Sequence, residues 1–214
     1  AVFAQMPAHV VAHGEGLAVG KPDRVSIQIG VTTQAATAGE ASSQNAKQSS
    51  AVMAELKQQL GAAAEFQTSN YSLYPMYKTQ RDGGKPTISG YQANNTVEVR
   101  LNDVTLAAKA VDSATKSGAN QIQGVNFSMR DEQKLRGEAL AKAAVQARAN
   151  AEAMAKAMGM RIVSILKIED GHPVQVMPMR KEMMMAQDAA ASTPMEPGSI
   201  DVRATVTITA VLEK

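Results

Sequence analysis

The pattern from about Asp131 to Met158 constrains this chain more than any other stretch. Leu140, Ala144, Ala147, Ala151, Met154 and Met158 recur at intervals of four and three, which puts one apolar stripe on one face of a long helix. The stripe is mostly alanine, so whatever it covers must approach closely. Asp131 reads as the N-cap and Gly159 as the residue just past the end. Glu138 with Lys142, and Glu152 with Lys156, read as outward-facing pairs one turn apart.

The rest of the chain must supply the surface that this helix covers. His9 to Ala18 reads as a strand in which Gly14 and Gly16 mark a bend or bulge. After the turn Lys21-Pro22-Asp23, Val25, Ile27, Ile29 and Val31 alternate along a half-buried strand running to about Gln34. Thr37, with Glu40 three residues on, opens a helix by the capping-box spacing. Its apolar positions are Ala46, Met53, Leu56 and Leu60, and Gly61 ends it. Phe66 to Tyr77 is a third strand with Tyr71, Leu73 and Tyr77 on one face, and Pro75 places it at a sheet edge or bulge. A polar hairpin loop, Lys78 to Thr87, leads into a strand from Ile88 to Leu101 through Val97 and Val99. Asp103 caps a second helix ending at Gly118. Strands follow at Gln121 to Met129 and, beyond the long helix, at Arg161 to Glu169. Gly171 to Gly198 is rich in Met, Pro and Ala and carries no periodicity. Alternation from Ile200 to Leu212 predicts a long closing strand with Thr205, Thr207 and Thr209 on its other face.

Hairpins mixed with crossover helices predict an α+β fold: three helices, the longest near 131–158, packed on mostly antiparallel sheets. A strand-strand-helix unit recurs at His9 to Leu60 and at Phe66 to Gly118. That recurrence predicts two intertwined lobes, residues 8–65 with 160–214 and residues 66–159.

Composition narrows the function classes. A net charge of +2 in 214 residues argues against nucleic acid, which wants a concentrated basic stripe. There is no run of eighteen apolar residues to cross a membrane as a helix. The basic loop tip Lys78, Arg81 and Lys85 reads as a solvated hairpin, since peripheral membrane contact needs more than one weak signal. The absence of cysteine is compatible with an oxidising compartment. Val2 and Ala4 are small residues at minus three and minus one if cleavage falls before Gln5, so residues 1–4 read as a signal-peptide tail, with an expression remnant as the alternative.

No catalytic constellation is legible. There is no Gly-x-Ser-x-Gly elbow and no phosphate-binding glycine loop, and composition removes a cysteine nucleophile. A Ser, His and Asp triad scattered along the chain stays open as a hydrolase alternative. His9 and His13 share a strand face but stand ~13 Å apart, too far for one metal. The expectation is a non-enzymatic protein with no cofactor.

Two clusters remain as candidate sites. Met177, Met179, Met183, Met184 and Met185 form a soft-metal or oxidant cluster with His172 just upstream. Copper binding, reversible oxidation and an adaptable contact surface are all consistent with it. Tyr71, Tyr74, Tyr77 and Tyr91 lie on neighbouring strands and are candidates for a subunit contact, where Tyr is enriched.

Several short pieces, taken in order, resemble the SIMPL-domain family, a domain of unknown function that includes bacterial periplasmic immunogenic proteins. They are Gly14-Glu15-Gly16 with Lys21-Pro22-Asp23-Arg24; Gln67-Thr68-Ser69 leading to Tyr74-Pro75-Met76-Tyr77; and Ile88-Ser89-Gly90-Tyr91-Gln92-Ala93. Thr96-Val97-Glu98-Val99-Arg100, Gly118-Ala119-Asn120-Gln121, Ala139-Leu140-Ala141-Lys142-Ala143 and Glu196-Pro197-Gly198 complete the match. The resemblance implies an exported, periplasmic or secreted bacterial α+β protein. It also implies self-assembly into a homo-oligomer and a role in envelope integrity or oxidative-stress tolerance. It supplies no catalytic residues.

Overall fold

Pairing of the first strand with the last, far away in sequence, decides how this chain is divided. The computed structural model describes residues 7–78, 85–171, 176–179 and 195–214, with 176–179 described by backbone alone. The chain forms two compact units, one of Ala1–Lys21, Met129–Glu182 and Gly198–Lys214, the other of Pro22–Ser128 and Met183–Pro197. This differs from the expected lobes 8–65 with 160–214 and 66–159. Strand β1 (His9–Gly20) parts from β2 (Arg24–Ala35) at the Lys21-Pro22-Asp23 turn and joins the first unit. β1 pairs instead with the closing strand.

In the first unit, β8 (Ser199–Glu213) runs between β1 and β6 (Arg161–Gly171), antiparallel to both. The short strand β7 (Val176–Met179) pairs with Ser199–Val202 of β8. It lies inside the segment expected to carry no regular structure, because four residues are too few to show a period. Helix α3 (Glu132–Ala157) covers one face of this sheet. The Asp131 carboxylate accepts from the Lys134 amide at 3.0 Å, as an N-cap should. At the other end Gly159 takes φ 67° and the Met160 amide donates to the Ala155 carbonyl at 2.9 Å.

The buried stripe of α3 is Leu135, Ala139, Ala143, Ala147, Ala151 and Ala155, spaced strictly by four. It shares Ala147 and Ala151 with the expected stripe, Leu140 and Ala144 are partly buried against it, and Met154 and Met158 are 42% and 76% exposed. Beneath it lie the small inward residues of β1, namely Ala12, Gly14, Gly16 and Ala18. The glycines mark no bulge, for β1 and β8 stay in register from His9↔Val211 to Gly20↔Ile200. They permit contact: a Cβ at Gly16 would sit 2.0 Å from the Ala139 oxygen, and one at Gly14 would sit 2.1 Å from the Ala143 oxygen.

A second row on α3 closes the outer edge of β1. Lys142 Nζ donates to the Leu17 carbonyl at 2.9 Å. Gln146 Oε1 accepts from the Glu15 amide at 2.7 Å, and Asn150 Nδ2 donates to the His13 carbonyl at 2.8 Å. Side chains one turn apart thus satisfy alternate backbone groups of an edge strand. Lys142 is therefore not the outward partner of Glu138, and Glu152 pairs with Arg148 at 2.9 Å rather than with Lys156.

The second unit has sheet order β3-β4-β2-β5, all antiparallel, with β3 (Ala64–Lys78), β4 (Thr87–Leu101) and β5 (Gln121–Ser128). Helices α1 (Ala38–Leu60) and α2 (Ala107–Lys116) complete a core of Val25, Ile27, Ile29, Val31, Leu56, Val99 and Leu101. Thr37 caps α1 by accepting from the Glu40 amide at 3.2 Å. Its buried positions are Ala41, Asn45, Val52, Leu56 and Leu60, whereas Ala46 is exposed. Asn45 is buried because its amide donates to the carbonyls of Val31 (2.8 Å) and Ala93 (3.0 Å) on two strands. Asp103 caps a short 3-10 turn, Val104–Leu106, that runs into α2. Hydrogen bonds from the Thr105 hydroxyl and amide hold its carboxyl below the usual carboxylate range.

Candidate functional site

Alternation along β3 and β4 sorts the four tyrosines onto two faces. The strands pair Tyr71↔Asn95, Leu73↔Ala93 and Pro75↔Tyr91, then Tyr77↔Ile88 after a register shift. Opposed residues share a face, so Tyr71, Leu73, Pro75, Tyr77, Ile88 and Tyr91 lie together. The Tyr71 hydroxyl lies 2.9 Å from Ser42 Oγ, which identifies this as the side that α1 covers. That cover is partial: Tyr71 is 52% exposed, Tyr77 61% and Ile88 52%, with Leu73 also exposed. Pro75 sits in the edge strand, where a missing amide hydrogen costs no internal ladder bond.

Tyr74 points to the opposite face. Its hydroxyl accepts from Asn94 Nδ2 at 3.2 Å and from the Gln92 amide. Thr32 Oγ1 donates to Asn94 Oδ1 at 2.7 Å, and Gln34 donates to Gln92 at 2.8 Å. Tyr74 therefore belongs to a self-satisfied polar network, and the other three expected tyrosines belong to the apolar patch.

Met177 and Met179 stand on β7, while Met183, Met184, Met185 and His172 lie outside the described residues, as does Arg81 of the basic loop. His13 Nδ1 lies 2.8 Å from Thr207 Oγ1. Among the described residues, no group of three or more His, Asp or Glu gathers as a metal site. No described helix is long and apolar enough to cross a membrane.

Sequence reading missed a feature at the far end of α3. Met154, Ala157, Met158 and Met160 line an open groove of about 800 Å³ with Pro7, His9, Val10 and Leu212. Met154 and Met158 read as core in the helical period. The signal that could have found the groove is their position beyond Ala12, the last small inward residue that the helix needs as cover.

The family model for SIMPL, described as a protein of unknown function (DUF541), matches residues 10–210. The chain is 27% identical to a 26 kDa periplasmic immunogenic protein of Brucella melitensis, over 86% of this chain and 76% of that one. It is 25% identical to the uncharacterized protein YggE of Escherichia coli K12, over 85% and 73% of the two chains. It is 26% identical to YggE of Edwardsiella ictaluri, over 75% and 66%. With the family pattern running from the second residue of β1 to within four residues of the end of the chain, this protein belongs to the SIMPL family (DUF541).

Proposed function

We propose that this is an exported, periplasmic, non-enzymatic protein that associates with copies of itself through the apolar face of the β3–β4 hairpin, and that the assembly supports envelope or oxidative-stress tolerance. The observation that carries the reading is the exposed patch of Tyr71, Leu73, Tyr77 and Ile88 on a strand pair that α1 covers only in part. None of Tyr71, Leu73, Pro75, Tyr77, Ile88 and Tyr91 is charged, so two copies can meet there without opposing like charges. The name of the Brucella relative supports the compartment, and the family resemblance supports the stress role.

Sedimentation over a range of concentrations tests the contact. The parent protein should associate as concentration rises, and a Tyr71→Ser/Tyr77→Ser variant should remain monomeric with an unchanged circular dichroism spectrum. A parent that stays strictly monomeric at high concentration sinks the reading. For the physiological part, a deletion strain challenged with peroxide should be rescued by the parent gene and not by the double variant.

A further inference from the structure

We propose that the groove at the C-terminal end of α3 is a site for a soft monovalent metal ion, Cu(I), held by the thioethers of Met154, Met158 and Met160. Three observations converge on it. Met154 and Met158 are one helical turn apart, and Met160 follows the left-handed Gly159 turn that folds its amide back to Ala155. All three line one groove, and Met154 and Met158 are substantially exposed. Thioether sulfur is the donor that selects Cu(I) over harder ions. With no cysteine in the chain, thioethers are its one class of sulfur ligand.

His9 also borders this groove, its Nδ1 lying 3.2 Å from the Pro7 carbonyl oxygen. Neutral thioethers suit a monovalent ion in an apolar groove, since no carboxylate must be desolvated there. The proposal is independent of self-association, because the hairpin face lies in the other unit.

The test is titration of the full chain with Cu(I), kept reduced by ascorbate under argon, against a chromogenic Cu(I) chelator. One equivalent should be withdrawn from the chelator. Met154→Leu/Met158→Leu/Met160→Leu keeps volume and apolarity, so the fold should survive. It should weaken the apparent affinity by about tenfold or more, one decade being ~1.4 kcal/mol. Met183→Leu/Met184→Leu/Met185→Leu should bind as the parent does. Retained uptake in the groove variant, loss of uptake in the loop variant, or no stoichiometric uptake by the parent would each overturn the assignment.

Discussion

At Gly16 the difference of one methyl group decides whether α3 can seat. The atoms a Cβ would strike belong to helix backbone, which cannot rotate aside. Gly16→Ala should therefore cost about 3 kcal/mol or more, at the upper end for overpacking, read as a fall in the urea midpoint. Gly137 on the same helix is a contrast. It is exposed, with nothing within 4 Å of an added Cβ. Gly137→Ala should stabilise by roughly 0.5–1 kcal/mol through helix propensity alone, and a neutral or destabilising result would count against this description of the exposed face. Asn45 shows a limit of sequence reading at this scale. A polar residue on a helix is ordinarily placed outward, and only the two strand carbonyls it serves explain its burial.

At the scale of elements, the row Lys142, Gln146 and Asn150 makes α3 a cover for a strand edge as well as a core helix. Gln146→Leu and Asn150→Leu should each cost about 1 kcal/mol, the net worth of one hydrogen bond. Together they leave the Glu15 amide and the His13 carbonyl on the outer edge of β1 unpaired, and the double variant should show concentration-dependent thioflavin-positive assembly that the parent lacks. If it stays soluble and dye-negative, the edge needs no cover. The elements themselves were legible in sequence wherever a cap or an alternation was strong. Thr37 and Asp131 cap the helices they were expected to cap, and β8 follows its even-numbered apolar residues. The inward face of α3 was legible only in part, at Ala147 and Ala151, because alanine occupies so many positions that several registers of the stripe look alike. Met154 and Met158 pulled the expected stripe off the inward face at its end.

The whole molecule combines two cores of different character. The second unit buries Val, Ile and Leu, whereas the contact of α3 on β1 is made of alanine and glycine. Smaller side chains remove less apolar surface from water per residue, at roughly 25 cal/mol per Å². In hydrogen-exchange mass spectrometry, peptides from β1 and α3 should accordingly lose protection before those from β2 and β4. The opposite order would show that the hydrogen-bonded edge outweighs the thinner core. Part of the candidate face was legible too: the shared side of Tyr71, Leu73 and Tyr77 follows from strand alternation. What sequence could not supply was how far α1 reaches across it, since that depends on where a helix stops in space. The Met154 groove was hidden for the same reason, as it lies where α3 ends beside the first residues of β1.

The fit of α3 on β1 has a metrical basis. Two residues of β1 advance ~6.6 Å and four residues of α3 advance ~6.0 Å, so the two elements engage like the scales of a vernier. Gly16 meets Ala139 and Ala143, Gly14 meets Ala143 and Ala147, and the edge bonds step in the same two-to-four ratio. Each step accumulates ~0.6 Å of mismatch. The coincidence is thus good for a few steps and no more. Length in this pair can change only in coupled increments, two residues of strand with four of helix. A single-residue insertion in either would move every alanine off its mark at once.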